Sequence, residues 1–228
     1  MDKKEHPIIM SSWGVNAILR EENPKTETRR IIKPSNSFYD GSPVTQLNRL
    51  AWDNSDWENA YIDPGPSPAG NPGPYLKLPL LVDPWPDTVH RVYPRIQPGD
   101  RLWVREKFSY LEWSPNPTRG PIWYWADGAV PDGDWTRPKP SIHMPRKYSR
   151  ITLEVLEVYP QRIQDISEES ARAEGIDKPK LIDLDDAFLG LTSYQIGFKN
   201  LWNSIHGKDA WSRNDWVWAT RFKRVENA

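Results

Sequence analysis

The chain of 228 residues contains no cysteine. That removes disulfides, thiolate metal ligands and cysteine nucleophiles together, and it suits a reducing cytoplasm. Histidine is scarce: His6, His90, His143 and His206 lie far apart, and none forms a His-x-x-x-His pair, so no metal site is expected. Charge of one sign is not in excess. With 30 basic and 31 acidic residues the net charge is −1, so contact with nucleic acid must come from a local patch rather than a global field. No apolar run approaches transmembrane length, and Met1-Asp2-Lys3-Lys4-Glu5 leads into no signal-peptide core. Gly-rich phosphate loops, a Gly-x-Ser-x-Gly elbow, dinucleotide fingerprints and internal repeats are also missing, and no cofactor is implied. These absences describe a soluble, cytoplasmic protein without membrane contact.

What the chain has in quantity is proline, 23 residues, and tryptophan, 13 residues. About half of the prolines fall between Pro34 and Pro98, among Gly, Asn, Asp and Ser. No helical or strand period is evident there, and a connection of that length is uncommon inside one domain. Trp52, Trp57, Tyr61, Tyr75 and Trp85 are spaced to tether it. The expectation is one domain, 1–228, carrying an ordered but irregular insertion at about 34–97 that walls one side of a cleft.

Outside the insertion the periods are clearer. His6–Met10 reads as a short strand, and Ser11 or Ser12 caps a helix carrying Trp13, Ala17 and Ile18 that ends before Pro24. Thr28–Ile32, Arg101–Phe108, Ile122–Ala126, Ile151–Tyr159 and Trp216–Val225 read as strands. Ser167 caps a helix over Glu168–Glu174 that Gly175 stops. Thr192 and Gln195 match a capping box, followed by the apolar stripe Tyr194, Phe198, Leu201, Trp202 and Ile205, with Gly207 at the end. The order lacks regular βα alternation, which favours α+β with a small curved sheet or barrel.

One stretch concentrates chemistry. Lys25-Thr26-Glu27-Thr28-Arg29-Arg30 packs an amine, two hydroxyls and two guanidiniums into six residues. Along a strand, Thr28 and Arg30 share one face while Arg29 and Ile31 share the other. An amine crowded by guanidinium charge has a lowered pKa and can act as a general base for a neighbouring hydroxyl. The plain alternative is a basic turn with a solvated face. Glu174, in the last turn of its helix, meets an unfavourable macrodipole, so it is either solvated or matched by a cation from elsewhere, Lys25–Arg30 being the candidate. The basic run Arg137–Arg150, with Tyr148 and nearby Trp135, reads either as a phosphate-contacting segment or as a solvated loop.

Three separated pieces resemble the ASCH-domain family: Pro24–Arg30, Pro98-Gly99-Asp100-Arg101-Leu102-Trp103-Val104-Arg105, and Asp215-Trp216-Val217-Trp218. The segments Ser149–Val155 and Ala171–Ile176 also fit, and the whole chain is similar to the long ASCH proteins carried by phages and prophages. The resemblance implies a PUA-like β-barrel with flanking helices. A small bacterial member of the family is an N4-acetylcytidine amidohydrolase with a lysine, a threonine three residues later, and a glutamate in the helix after the central strand. Carried over by motif, these fall on Lys25, Thr28 and Glu174 as catalytic residues, and an arginine two places after the threonine matches Arg30. Arg29, Arg30, Arg105, Trp103 and Trp123 are the candidate substrate-binding residues, with Trp123 or Trp103 stacking on the pyrimidine. The implied partner is a modified cytosine nucleoside. The alternatives are a non-catalytic PUA-like RNA-binding protein and a ribonuclease using the same basic cleft.

Overall fold

The longest strand pair anchors the architecture of the computed structural model, which describes residues 4–39, 42–43, 49–53, 55–65, 74–79, 89–112, 120–177 and 190–225. In chain order the elements are β1 (Glu5–Ile9), α1 (Ser12–Leu19), β2 (Glu27–Ile31), β3 (Ser37–Tyr39), β4 (Ser42–Pro43), α2 (Arg49–Asp53), β5 (Tyr61–Asp63), β6 (Tyr75–Pro79) and β7 (Val89–Pro94). Then come β8 (Arg101–Arg105), β9 (Phe108–Tyr110), β10 (Ile122–Tyr124), β11 (Thr152–Arg162), α3 (Glu168–Ala173), α4 (Ser193–His206) and β12 (Trp216–Val225). β11 and β12 run antiparallel from Thr152↔Val225 to Arg162↔Trp216, with a bulge between Val155 and Glu157. An unpaired residue there bends the strand and increases its twist.

Around that pair a five-stranded sheet is ordered β1-β8-β11-β12-β2, with β1 parallel to β8 and the other neighbours antiparallel. The fold is α+β, mostly sheet. The expected closed barrel is not present among the described residues: β1 and β2 are the two edges of an open sheet. Twist nevertheless brings these edges within a side chain's reach. Arg30 of β2 donates from Nη2 to the Ile9 carbonyl of β1 at 3.0 Å, so a guanidinium spans the seam where a barrel would have backbone hydrogen bonds.

The stretch expected to be an irregular insertion holds a second five-stranded sheet, ordered β4-β3-β7-β6-β5 and antiparallel throughout. Its strands are short and three of the five end on prolines, Pro43, Pro79 and Pro94, so no local period announces them. Leu76, Leu78, Val92 and Trp52 join Val155, Val158, Trp216 and Trp218 in one buried cluster between the sheets. Polar pins hold the join: Trp218 Nε1 donates to Ser37 Oγ at 2.9 Å, and Trp216 Nε1 and Arg162 Nη2 both donate to the Trp57 carbonyl, at 3.0 and 2.9 Å. Of the expected tethers, Trp52 and Tyr75 are buried, Trp57 is half-buried, Tyr61 is 48% exposed, and Trp85 lies outside the described residues.

A second apolar cluster sits under α3 and α4, joining Ile163, Ile166, Ala171, Phe198, Trp202, Trp211 and Val217. Both helices start where side-chain acceptors satisfy free N–H groups. Ser167 accepts from Ser170, while Thr192 and Gln195 cap each other reciprocally. No helix among the described residues is long and apolar enough to cross a membrane.

Leu78 is fully buried between the sheets. Leu78→Ala is therefore expected to lower unfolding free energy by about 2–5 kcal/mol in a urea titration. A loss below about 0.5 kcal/mol would mean that the second sheet is not packed on the first as described.

Candidate active site

Three elements fix the position of Lys25 before its side chain is considered. Its backbone N–H donates to Ala17 O of α1 at 2.8 Å, the next N–H, of Thr26, donates to Ala173 O of α3 at 2.8 Å, and Phe222 of β12 donates to Thr26 O at 2.9 Å. Such proximity between α1, the turn and the end of α3 requires Gly175. Its φ is +87°, and a Cβ there would lie 2.9 Å from Ala17 Cβ and 3.0 Å from Lys25 Cβ. Glu174 is the C-cap of α3, so its carbonyl and carboxylate are presented together at the helix end.

Lys25 Nζ uses both. It donates to the Glu174 carbonyl at 2.8 Å and to the Glu174 carboxylate through Oε2. The pair is buried, with Lys25 and Glu174 each 4% exposed. From Glu174 the charges alternate outward along the sheet to half-exposed groups. Arg29 donates to Glu174 Oε1 at 3.2 Å and to Glu27 Oε2 at 3.1 Å, and Arg221 donates to Glu27 Oε1 at 2.6 Å and to Glu157 Oε2 at 2.8 Å. Removing one of the buried partners, Lys25, Glu174, Arg29 or Glu27, leaves an uncompensated charge, at a cost of about 3–5 kcal/mol.

The strand alternation holds: Glu27 and Arg29 share one face, Thr28 and Arg30 the other. On the second face Arg30 Nη1 donates to Thr28 Oγ1 at 2.9 Å. No hydrogen bond joins Lys25 to Thr28 among the described residues. Because β2 is an edge strand, side chains from both of its faces reach one cavity of about 370 Å³. That volume lies in the range that takes a small organic ligand. Lys25, Thr28, Arg29, Arg30 and Glu174 form its polar part, and Met10, Trp13, Phe198, Leu201, Trp202 and Ile205 its apolar walls.

Burial is the largest influence on Lys25 and pushes its amine below the ordinary lysine value. The charge and hydrogen bond of Glu174 oppose that, while Arg30 and Arg29 add smaller downward contributions. The expected lowering is therefore present, but desolvation, not guanidinium crowding, is its main cause. As a neutral amine Lys25 has two N–H groups, enough for its two contacts with Glu174, which leaves its lone pair uncommitted. His206, which also lines the cavity and lies 4.2 Å ring to ring from Trp202, is pushed below the ordinary histidine value, chiefly by burial and then by Arg30 and Arg213.

Of the residues expected from sequence, Lys25, Thr28, Arg29, Arg30 and Glu174 converge. Three do not line this cavity. Arg105 packs over Trp103 at 5.4 Å and donates to the Ser141 carbonyl, and Trp123 lies 6.4 Å from Trp135. The stacking surfaces are instead Trp13, Phe198 and Trp202, whose helical spacing marks them as core; only the position of α1 and α4 beside the edge strand makes them cavity walls. Among the described residues the Pro-rich segment supplies no lining residue. The basic run is largely engaged within the protein. Arg146 pairs with Glu5, Arg150 with Glu106 and Asp127, and Lys139 and Lys147 lie over Tyr110 and Tyr148. Among the described residues no group of three or more His, Asp or Glu is placed to hold a metal ion. No protein-family model, curated protein or solved structure matches the chain.

Two measurements probe this geometry. Gly175→Ala combines a left-handed backbone with overlap onto Ala17 and Lys25, and should cost roughly 2 kcal/mol or more in chemical denaturation, where a tolerated alanine would cost nothing. The second concerns Lys25. The folded protein holds this proton less tightly than the unfolded chain, so between the lowered value and the ordinary 10.5 stability rises with pH. Relative to Lys25→Met, which lacks the group, the wild type should gain stability across that alkaline window. A parallel pH dependence in the two proteins would contradict the assignment.

Proposed function

We propose that the protein is an amidohydrolase that removes the acyl group from N4-acylated cytosine nucleosides of the N4-acetylcytidine type, within an ASCH-type, PUA-like fold. The observation that carries this reading is the buried Lys25–Glu174 pair beside the Thr28–Arg30 contact, at the polar end of an aromatic-walled cavity. A flat, mostly neutral heterocycle bearing an amide suits those walls, and the polar end meets the reacting carbonyl. The sheet, open but bridged by Arg30 across its edges, supports a variant of the barrel that the resemblance implies.

In the mechanism, Lys25 in its deprotonated form takes the proton of the Thr28 hydroxyl as its oxygen attacks the acyl carbon. Arg30, already donating to Thr28 Oγ1, lowers the energy of the developing alkoxide. The carbonyl π electrons move onto oxygen, and the resulting oxyanion is stabilised by the same guanidinium. Collapse breaks the C–N bond, and Lys25 returns its proton to the departing 4-amino nitrogen, releasing cytidine. Water, deprotonated by Lys25, then attacks the acyl-threonine, and Thr28 leaves with the proton. The sum is one amide and one water converted to an amine and a carboxylic acid. Glu174 holds the amine in place and compensates its charge when it is protonated. In a one-step variant Lys25 activates water directly and Thr28 only binds.

The RNA-binding alternative draws less support, because within the basic run Arg146 and Arg150 are paired with Glu5, Glu106 and Asp127, and Lys139 and Lys147 lie over tyrosine rings. Mutants separate the two. Lys25→Ala should reduce N4-acetylcytidine hydrolysis by about 10²-fold or more, the contribution of a positioned general base. Glu174→Gln should reduce it roughly tenfold or more, a loss of about 1.4 kcal/mol in transition-state stabilisation. Both are assayed beside RNA affinity at fixed salt. A wild type without hydrolytic activity, whose RNA binding tightens on Glu174→Gln, would hand the case to the binder.

A further inference from the structure

Glu27 is the buried carboxylate of the charge row that the hydrolytic steps leave without a task. It is 4% exposed, while the side chain of Arg221 beyond it is 47% exposed. Strand register puts it there. Glu27 of β2 lies opposite Arg221 of β12, and Arg221 lies opposite Glu157 of β11, so three charges form one row across three strands. Arg29 follows two residues along β2, on the same face. Its buried guanidinium is held on three sides: Nε donates to Gln161 Oε1 at 3.2 Å, Nη1 to Glu174 Oε1 at 3.2 Å, and Nη2 to Glu27 Oε2 at 3.1 Å. Glu27 divides its two oxygens between Arg29 and Arg221, as Glu174 divides its own between Arg29 and Lys25.

We propose that Glu27 is a positioning residue for the base: it aims Arg29 at Glu174 and offsets the Arg29 charge, which keeps Lys25 able to take up a proton. The proposal rests on the amidohydrolase reading and extends it to a residue that does not itself line the cavity. Lys25 faces Glu174 from α3 and Arg29 and Arg30 from β2, and both guanidiniums oppose its protonated form, though less than burial does. With Glu27 ionised, the charge on Arg29 has a carboxylate on either side. Without it, that charge rests on Glu174 alone, the carboxylate that the ammonium form of Lys25 also needs. A proton taken up by Lys25 would then leave a buried cation in excess.

The test is an NMR titration of Lys25 in the wild type, Glu27→Gln, Glu27→Asp and Arg221→Gln. Glu27→Gln should lower the Lys25 midpoint by about one pH unit, a tenfold loss of proton affinity, and the ascending limb of kcat/KM for N4-acetylcytidine should move with it. Glu27→Asp keeps the charge and should recover at least half of that shift. Arg221→Gln leaves Glu27 wholly to Arg29, so the midpoint should rise, by roughly 0.3 unit at this half-exposed position. An unmoved midpoint in Glu27→Gln, or an equal fall in Glu27→Asp, would show that Glu27 only stabilises the fold, and the proposal falls. If Glu27→Gln does not fold, Arg221→Gln decides, and a midpoint that stays or falls overturns the proposal. A wild type that releases no cytidine, while these midpoints shift as stated, overturns the amidohydrolase reading and leaves the link from Glu27 to Lys25 standing.

Discussion

The Lys25–Glu174 pair is the constraint on which the rest of the site depends. Two opposite charges, each almost fully removed from water, cost more in desolvation than most ion pairs return, unless further hydrogen bonds and charges support them. Here they do. The Glu174 carbonyl takes a second donation from the amine, Arg29 takes the other carboxylate oxygen, and Glu27, Arg221 and Glu157 continue the alternation outward to solvent. The backbone is committed to the same end, since α1, α3 and β12 each bond to the Lys25–Thr26 turn and Gly175 lets them close on it. An amine held this way is neither solvated nor free to swing.

The open edge of the sheet explains why chemistry collects there. A strand with neighbours on both sides gives its two faces to different surroundings, whereas β2 at the edge directs both to one cavity. Arg30 has a double part in this arrangement, spanning the seam to β1 and touching the Thr28 hydroxyl. The second sheet lies away from the cavity. It buries the opposing side of the main sheet through Leu76, Leu78 and Val92, so its contribution to the site is stiffness under β11 and β12.

How legible each part was in sequence follows the range of the interactions that define it. The helices α1, α3 and α4 were readable because caps are local: Ser167 and Gly175 bracket α3, and Thr192 with Gln195 opens α4, whereas α2 lies in the stretch read as irregular. The strand β12 was readable as a run of ten residues, and the catalytic candidates Lys25, Thr28 and Glu174 do converge. The second sheet was not readable. Its pairings, such as Ser37↔Pro94, join residues far apart, and prolines at its strand ends resemble loop composition. Trp103, Arg105 and Trp123 were placed in the site on residue type, but they pack elsewhere. Trp13 and Trp202 were missed because a helical stripe serves as core and as cavity wall, and only tertiary placement tells the two apart.

The central claim is that a buried, desolvated lysine is the base in amide hydrolysis. The most direct measurement is the pH dependence of kcat/KM for N4-acetylcytidine, set beside an NMR titration of the Lys25 Cε–amine signal in the free protein. The account predicts a rate that rises with pH on a single ascending limb, whose midpoint lies below 10.5 and coincides with the titration of Lys25. A limb whose midpoint differs from that titration, a Lys25 that titrates at or above 10.5, or no release of cytidine at any pH would contradict it.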